Sequence, residues 1–260
     1  MDACVSLTTI NNIALVRLNR PAAYNALDKD TIGELLSVLL QVSSDPAIRG
    51  VVLTGTGKAF SAGGNLREVM DHAKGPAAAF NELAAYVHVC IIEIRRMRKP
   101  VVAAINGIAA GGGFSLALAS DFRVMARSAL LKQGFTSNAL CIDGGGTFTL
   151  PRLVGLARAL EIAAFDEPIP SERALDWGLV TQVVADGEEV DAAIRLIEAV
   201  AEKSLHTFGW TKQLLTNATE TSLEAQLEKE RQGLLACVSH PDGVEGLTAF
   251  LEKRPPRYNR

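Results

Sequence analysis

Two stretches of small residues carry the clearest chemical signal in this chain. They are Lys58-Ala59-Phe60-Ser61-Ala62-Gly63-Gly64-Asn65-Leu66 and Asn106-Gly107-Ile108-Ala109-Ala110-Gly111-Gly112-Gly113-Phe114. Each lies between an apolar, strand-like run and a helix start. Small residues let a ligand approach the backbone closely. Free N–H groups at a helix start point at negative charge. Two such loops facing each other would form an oxyanion hole with main-chain donors and no side chain in the way. A single glycine in either loop would serve close packing equally well. Neither loop is a nucleotide motif. Gly55-Thr56-Gly57-Lys58-Ala59 lacks both the last glycine of a dinucleotide fingerprint and the Ser or Thr that follows a P-loop lysine.

The other reactive residue types form no motif of their own. Cys4, Cys90, Cys141 and Cys237 are far apart and contain no CxxC pair, so reduced and mostly buried thiols are expected. His72, His206 and His240 show no metal-ligand spacing, and no metal site is expected.

The elements that must hold the loops are readable from periodicity. Val5–Ile10 and Ile13–Leu18 read as a hairpin around Asn11-Asn12. Residues 28–44 have apolar residues at helical spacing, with Thr31-x-x-Glu34 as a capping box. Residues 50–54 and Val101–Ile105 are apolar strands suited to a sheet covered on both faces. Residues 55–65 read as a loop, 76–98 as a long helix, 111–120 as a helix and 121–126 as a strand. The β-α-β-α-β order predicts a layered α/β fold. From Glu188 onward the pattern is helical, over 188–203, 207–219, 222–237 and 241–253. The chain therefore divides into a core, 1–187, and a C-terminal helical region, 188–260, whose tail is expected to be frayed or draped.

With 260 residues and a net charge of −3, the chain has no bulk attraction for nucleic acid or an anionic membrane. Residues 101–120 carry no charge, yet Asn106 and the glycine run favour a strand, a turn and a buried helix over a membrane span. Without a visible secretory signal, a cytoplasmic protein is expected.

Taken in order, the pieces resemble the crotonase superfamily (enoyl-CoA hydratase/isomerase family) over essentially the whole chain. They are Leu18-Asn19-Arg20-Pro21, Asn25-Ala26-Leu27, residues 49–55, the two glycine loops, Lys99-Pro100-Val101, Asp121, Gly144-Gly145-Gly146-Thr147, Pro151-Arg152-Leu153-Val154-Gly155 and residues 174–180. The resemblance implies a spiral of ββα turns with a C-terminal helical trimerisation region, and a homotrimer or dimer of trimers. It implies a coenzyme A thioester as substrate and no separate cofactor. By position, Gly64 and Gly112 would donate to the thioester oxygen. CoA would lie along Ala22, Ala23, Ala62, Gly63, Gly64 and Leu66, with Phe135 in the substrate site and Phe250 and Lys253 closing from the C-terminal helix. Ala22 stands where many relatives have lysine, and Asn65 where aspartate is common.

The hydratases of this family use two glutamates. Here Ser115 and Phe135 occupy those positions, and no glutamate lies between Glu93 and Glu161. Asp143 remains, at a position where relatives that move a double bond, or that dehalogenate an aryl thioester, carry an aspartate. Its neighbours Phe135, Leu140, Ile142 and Phe148 predict a carboxyl shielded from water, an environment that suits proton transfer. Asp143 also reads as an N-cap, a common use of Asp before a helix. The resemblance thus implies a 3-enoyl to 2-enoyl isomerase with Asp143 as its one acid/base. The alternatives are a hydratase, dehalogenase or hydrolase on a CoA thioester, or a homologue that binds acyl-CoA without catalysis. His88 stands where the dehalogenating relatives have a catalytic histidine, and it also reads as a structural residue.

Overall fold

The computed structural model describes residues 3–259; Met1, Asp2 and Arg260 lie outside the described residues. β1 (Val5–Ile10) and β2 (Ile13–Leu18) pair antiparallel. Asn11 and Asn12 turn between them with φ of 50° and 63°, the left-handed pair that a two-residue hairpin needs. α1 (Lys29–Ser44) follows. Its cap is Asp28, not Thr31 as the capping-box reading has it: Asp28 Oδ1 accepts the Thr31 N–H at 2.9 Å and the Thr31 hydroxyl at 2.7 Å. Glu34 instead accepts the N–H of Val5 at 2.9 Å and ties β1 to the helix.

Three ββα turns come next. The first is β3 (Gly50–Gly55) and β4 (Ala59–Ser61), then α2 (Leu66–Asp71) and α3 (Pro76–Arg96). The second is β5 (Val101–Ile105), β6 (Ile108–Ala110) and α4 (Gly112–Ala119). The third is β7 (Phe122–Ala126), β8 (Leu130–Lys132) and α5 (Gly146–Phe165). The first strand of each turn enters one sheet, ordered β1-β2-β3-β5-β7 and closed by β10 (Gln182–Val184). The second enters a smaller sheet, ordered β4-β6-β8 and closed by β9 (Ile169–Pro170), which leads into α6 (Ser171–Asp176). This is the spiral that the resemblance implies. The segment read as a loop over 55–65 contains β4.

Both faces of the large sheet are covered, which is why its strands are apolar without alternation. On one face Val51, Leu53, Val101, Ala103 and Ile105 join a core with Leu35 and Leu39 of α1 and Ile94 of α3. On the other, Val52, Val102, Ala104 and Val124 meet Ala193, Ile194 and Ile197 of α7 (Glu189–Ala201). Each of those isoleucines contributes roughly 1.5–3 kcal/mol by burial. α8 (Leu205–Asn217), α9 (Leu223–Ser239) and α10 (Pro241–Glu252) complete the chain.

α8 is tied to the core by charge. The Lys212 ammonium, almost wholly buried, donates to Asp121 at 2.8 Å and to the carbonyl of Ile94 at 2.9 Å. Burial pushes the Asp121 carboxyl up and the Lys212 ammonium down from their ordinary pKa values, each partly offset by the other. The tail is draped and pinned. Asn259 accepts from Leu205 N–H and donates to the carbonyls of Ala201 and Lys203.

Residues 101–120 form β5, β6 and α4, all within the globule. α3 is long and apolar enough to cross a membrane by composition, yet Val87, Cys90, Ile91 and Ile94 pack it into the core. The expectation of mostly buried cysteines is corrected. Cys90 alone is buried, Cys141 is exposed, and Cys4 and Cys237 are intermediate. Burial pushes the Cys90 thiol up to about 12, so it is a core residue and not a nucleophile.

Candidate active site

The two glycine loops meet. Leu27 bridges Gly64 in parallel register: its N–H donates to Gly63 O at 2.7 Å, and its carbonyl accepts from Asn65 N–H at 3.0 Å. A parallel bridge of this kind leaves the N–H of Gly64 turned away from Leu27. Gly112 is the first residue of α4, so its N–H has no acceptor inside the helix. Gly63 lies between them. A Cβ on Gly63 would sit 2.9 Å from Gly112 N and 2.8 Å from Ala110 O, and its φ of +86° is in the left-handed region. The close approach of the two loops therefore depends on glycine at 63.

Asn25 holds the first loop in place. It is fully buried, and its side chain accepts from Arg20 N–H at 2.8 Å and donates to Thr56 O and Ala59 O at 3.0 and 2.7 Å. Each such bond contributes about 1 kcal/mol. The Tyr24 carbonyl accepts the N–H of Ala62 at 3.0 Å; just before Tyr24, Ala22 is exposed and Ala23 half-buried. Leu66 opens α2 and is exposed. Phe250 and Lys253 lie at the end of α10, Phe250 with 81% of its surface exposed.

Asp143 stands in the turn before α5, but it does not cap that helix. Gly145 occupies the cap position. The Asp143 carboxylate lies 2.7 Å from His88 Nε2 on α3. The expectation of a shielded carboxyl is corrected, because the Asp143 side chain keeps 45% of its surface exposed and His88 keeps 47%. Ile142 and Phe148 are only partly buried, and Leu140 is exposed. The backbone of Asp143 is anchored by a residue that sequence reasoning treated only as a lost glutamate. The Ser115 hydroxyl, fully buried, donates to Asp143 O at 2.6 Å. Ser115 is three residues past Gly112 on α4, a rise of about 4.5 Å. One short helix thus carries the Gly112 donor and the anchor of the carboxylate loop.

Phe135, half-buried, sits in a turn clamped by Asp166. That carboxylate accepts the N–H of Gly134 at 2.7 Å, the N–H of Ser137 at 2.9 Å and the Ser137 hydroxyl. Burial pushes the Asp166 pKa up, but the hydrogen bonds from Ser137 and Gly134 outweigh it and hold the carboxyl below its ordinary range. Gly134 in turn approaches the second glycine loop, with Gly111 N 3.1 Å from the position of a Cβ. Asp166 and Ser115 gave no signal in the sequence, since each acts on backbone groups about 30 residues away. Among the described residues no cluster of three or more His, Cys, Asp or Glu could hold a metal ion.

The site therefore contains two main-chain donors, a carboxylate-bearing loop whose backbone is anchored one helical turn from one of them, and a histidine on that carboxylate. The known proteins it resembles process CoA thioesters. The chain is 34% identical to 1,2-epoxyphenylacetyl-CoA isomerase of Escherichia coli (strain K12) over 95% of this chain and 94% of the relative. It is 32% identical to 4-chlorobenzoyl coenzyme A dehalogenase-2 of Arthrobacter sp, over 97% and 92%. Its backbone follows the crystal structure of an enoyl-CoA hydratase from Polaromonas sp. JS666 with a TM-score of 0.92, at 34% identity, over 98% of this chain and 99% of that one. Residues 8–260 match the enoyl-CoA hydratase/isomerase family, and the chain belongs to that family, with the crotonase fold and an acyl-CoA-processing role.

Proposed function

We propose that this protein shifts a double bond in an enoyl-CoA, from the 3- to the 2-position. The observation that carries the reading is the placement of Asp143, with its backbone fixed by Ser115 on the Gly112 helix and its carboxylate held by His88. The thioester oxygen would lie between the N–H groups of Gly64 and Gly112. Asp143 removes an α-proton, and the electron pair moves onto the thioester oxygen as an enolate. Each N–H is worth about 3 kcal/mol to that charge if it behaves as other oxyanion donors do. The same carboxyl, exposed enough to exchange its proton with solvent, delivers a proton at the γ-carbon. His88, with its proton on Nε2, donates to the carboxylate and fixes its direction. Ala22, Ala23, Ala62, Gly63 and Leu66 would line the path of CoA, with Phe250 and Lys253 of a neighbouring copy closing on it.

The His88 contact also favours a second reading. A carboxylate 2.7 Å from an imidazole can attack the thioester carbon and expel the CoA thiolate, or attack a halogenated aryl carbon and expel halide; the imidazole then takes a proton from the water that cleaves the resulting acyl or aryl ester and releases the carboxylate. The similarity to 4-chlorobenzoyl-CoA dehalogenases points the same way. One experiment separates the readings: 2-enoyl-, 3-enoyl- and aryl-CoA esters incubated in deuterated water and followed by mass spectrometry. Isomerisation places deuterium on carbon without net addition of water. Hydration, halide loss and thioester hydrolysis each give a different product mass, and a protein that only binds exchanges nothing. Asp143→Asn should abolish turnover and leave CoA-ester binding intact; unchanged turnover would remove the mechanism.

The assembly we propose is a trimer or a dimer of trimers. Leu156, Leu160 and Phe165 on α5 and Leu247, Phe250 and Leu251 on α10 are exposed in the single chain, an apolar surface that association would cover. A cytoplasmic setting agrees with four free cysteines.

A further inference from the structure

A cavity of about 150 Å³ opens between α2 and α3, beside the glycine site: Asn65, the residue after Gly64, lines it, as does Leu27, which bridges Gly64. Leu27 and Leu83 line it, and they are the same side chains that a Cβ on Gly112 or Gly64 would meet, at 3.3 and 3.4 Å. α2 starts next to Gly64 and runs past Val69 to His72, about 10 Å further on at 1.5 Å per residue. Ala79, one turn before Leu83 on α3, lines the cavity with them. Leu27, Val69, Ala79 and Leu83 make most of its lining surface apolar, and Asp28, Lys29, Asn65 and Glu68 also border it. His72 and Glu82 face each other across 3.9 Å and set polar groups against the far part. α3 also connects the cavity to the acid. One turn beyond Leu83, Val87 lies 3.6 Å from the position of a Cβ on Gly144, the residue after Asp143.

We infer that this cavity receives the acyl group and that the substrate is a thioester of a compact acyl group, bearing one six-membered ring or a short branched chain, and not a long straight chain. The inference rests on the proposed placement of the thioester oxygen between Gly64 and Gly112. A cavity of roughly this volume with a mainly apolar lining holds one benzene-sized ring. A longer chain would run past the partly exposed His72–Glu82 pair toward solvent, where its extra methylenes gain little burial. With Leu83 and Val87 one turn apart, the ring would start within a few bonds of the carbon that Asp143 addresses.

The test measures binding by calorimetry of acetyl-, phenylacetyl- and decanoyl-CoA to the full chain and to Ala79→Phe. The unaltered protein should prefer phenylacetyl-CoA over both others. Ala79→Phe fills the cavity from α3, and the ratio of phenylacetyl to acetyl affinity should fall at least tenfold. Leu83→Ala, which widens the cavity, should shift preference toward decanoyl-CoA and serves if Ala79→Phe does not fold. Tighter binding of decanoyl- than phenylacetyl-CoA by the unaltered protein would overturn the size assignment. So would an unchanged ratio in Ala79→Phe with acetyl-CoA still bound, and in both cases the glycine site would stand. Failure of every acyl-CoA to bind the unaltered protein would remove the glycine-site reading and this inference together.

Discussion

Gly63→Ala tests the joint between the loops while replacing neither a donor residue, the acid nor a residue that lines the cavity. A methyl group at this position meets backbone on two sides, Ala110 O at 2.8 Å and Gly112 N at 2.9 Å, where neither neighbour is a flexible side-chain end. The φ of +86° adds about 1–2 kcal/mol for any residue with a Cβ. Separating the loops by a few tenths of an ångström relieves the clash and misaligns the Gly64 and Gly112 donors. Loss of one oxyanion donor lowers kcat by about 10²–10³. Gly63→Ala should therefore lose about 2–4 kcal/mol of stability by urea unfolding, and about a hundredfold or more in the rate of α-proton exchange on an acyl-CoA. Gly64→Ala is the contrast. Its Cβ has ordinary contact with Leu83 at 3.4 Å and no positive φ, so its unfolding midpoint should move by less than about 1 kcal/mol. Full exchange activity and an unchanged midpoint in Gly63→Ala would refute the view that the two loops form one donor pair.

Three further outcomes follow from the scaffold. Lys212→Met leaves the Asp121 carboxylate buried without its ammonium and should cost about 3–5 kcal/mol by urea unfolding, while Lys212→Met with Asp121→Asn should recover most of it. For Asp166 the folded-state pKa is lowered, so its contribution is fully present above the unfolded carboxyl value near 4 and is lost as pH falls through the folded value. The stability gap between the unaltered protein and Asp166→Asn, measured between pH 2 and 6, should therefore narrow only below about pH 4; a gap that widens on acidification would contradict the clamp. Ser115→Glu restores an acid where hydratases of the family carry one, but the site is fully buried. Ser115 Oγ already lies 2.9 Å from the position of a Cβ on Gly146, so overpacking should cost about 1–3 kcal/mol or more, and no hydration of a 2-enoyl-CoA should appear.

The sequence was most legible where one physical pattern ran for a full element. β1, β2 and β5 match their expected bounds because β-rich apolar runs end at turn residues. The helices of the C-terminal region fall within two residues of expectation at most ends for the same reason. β4, β6 and β8 were not visible, since three residues of strand are too short to show a period. α5 was obscured by Pro151 inside it and by the kink at Gly155, where φ and ψ are 75° and 161°. In the site, the small-residue loops announced themselves by composition. The His88–Asp143 pair had no signal in spacing, because 55 residues separate its members; the resemblance named both residues, and the spiral brings α3 to the turn before α5. Asp28 as the α1 cap was readable, directly before the helical run, but Thr31-x-x-Glu34 offered a stronger-looking motif for the same end.

α4 explains why a buried helix of eight residues can do so much. Its N-terminal residue offers the free Gly112 N–H to the site, and its C-terminal carbonyls are covered by cations. Arg123, buried, donates to Ser120 O at 2.6 Å and to Leu179 O at 2.6 Å, and Arg95 reaches Ala119 O at 3.5 Å. Burial lowers the Arg123 pKa to about 10, yet the guanidinium stays charged at neutral pH. Those charges satisfy the end of the helix dipole that would otherwise be unpaired in an apolar core. The opposite end is then free to act on a substrate, and Ser115 in the middle turn fixes the acid relative to it. Replacing a glutamate by serine at 115 thus removes one reactive group and supplies a hydrogen bond that places another. The exposed loop that carries the remaining carboxylate is thus held from two helices, its backbone by Ser115 on α4 and its carboxylate by His88 on α3.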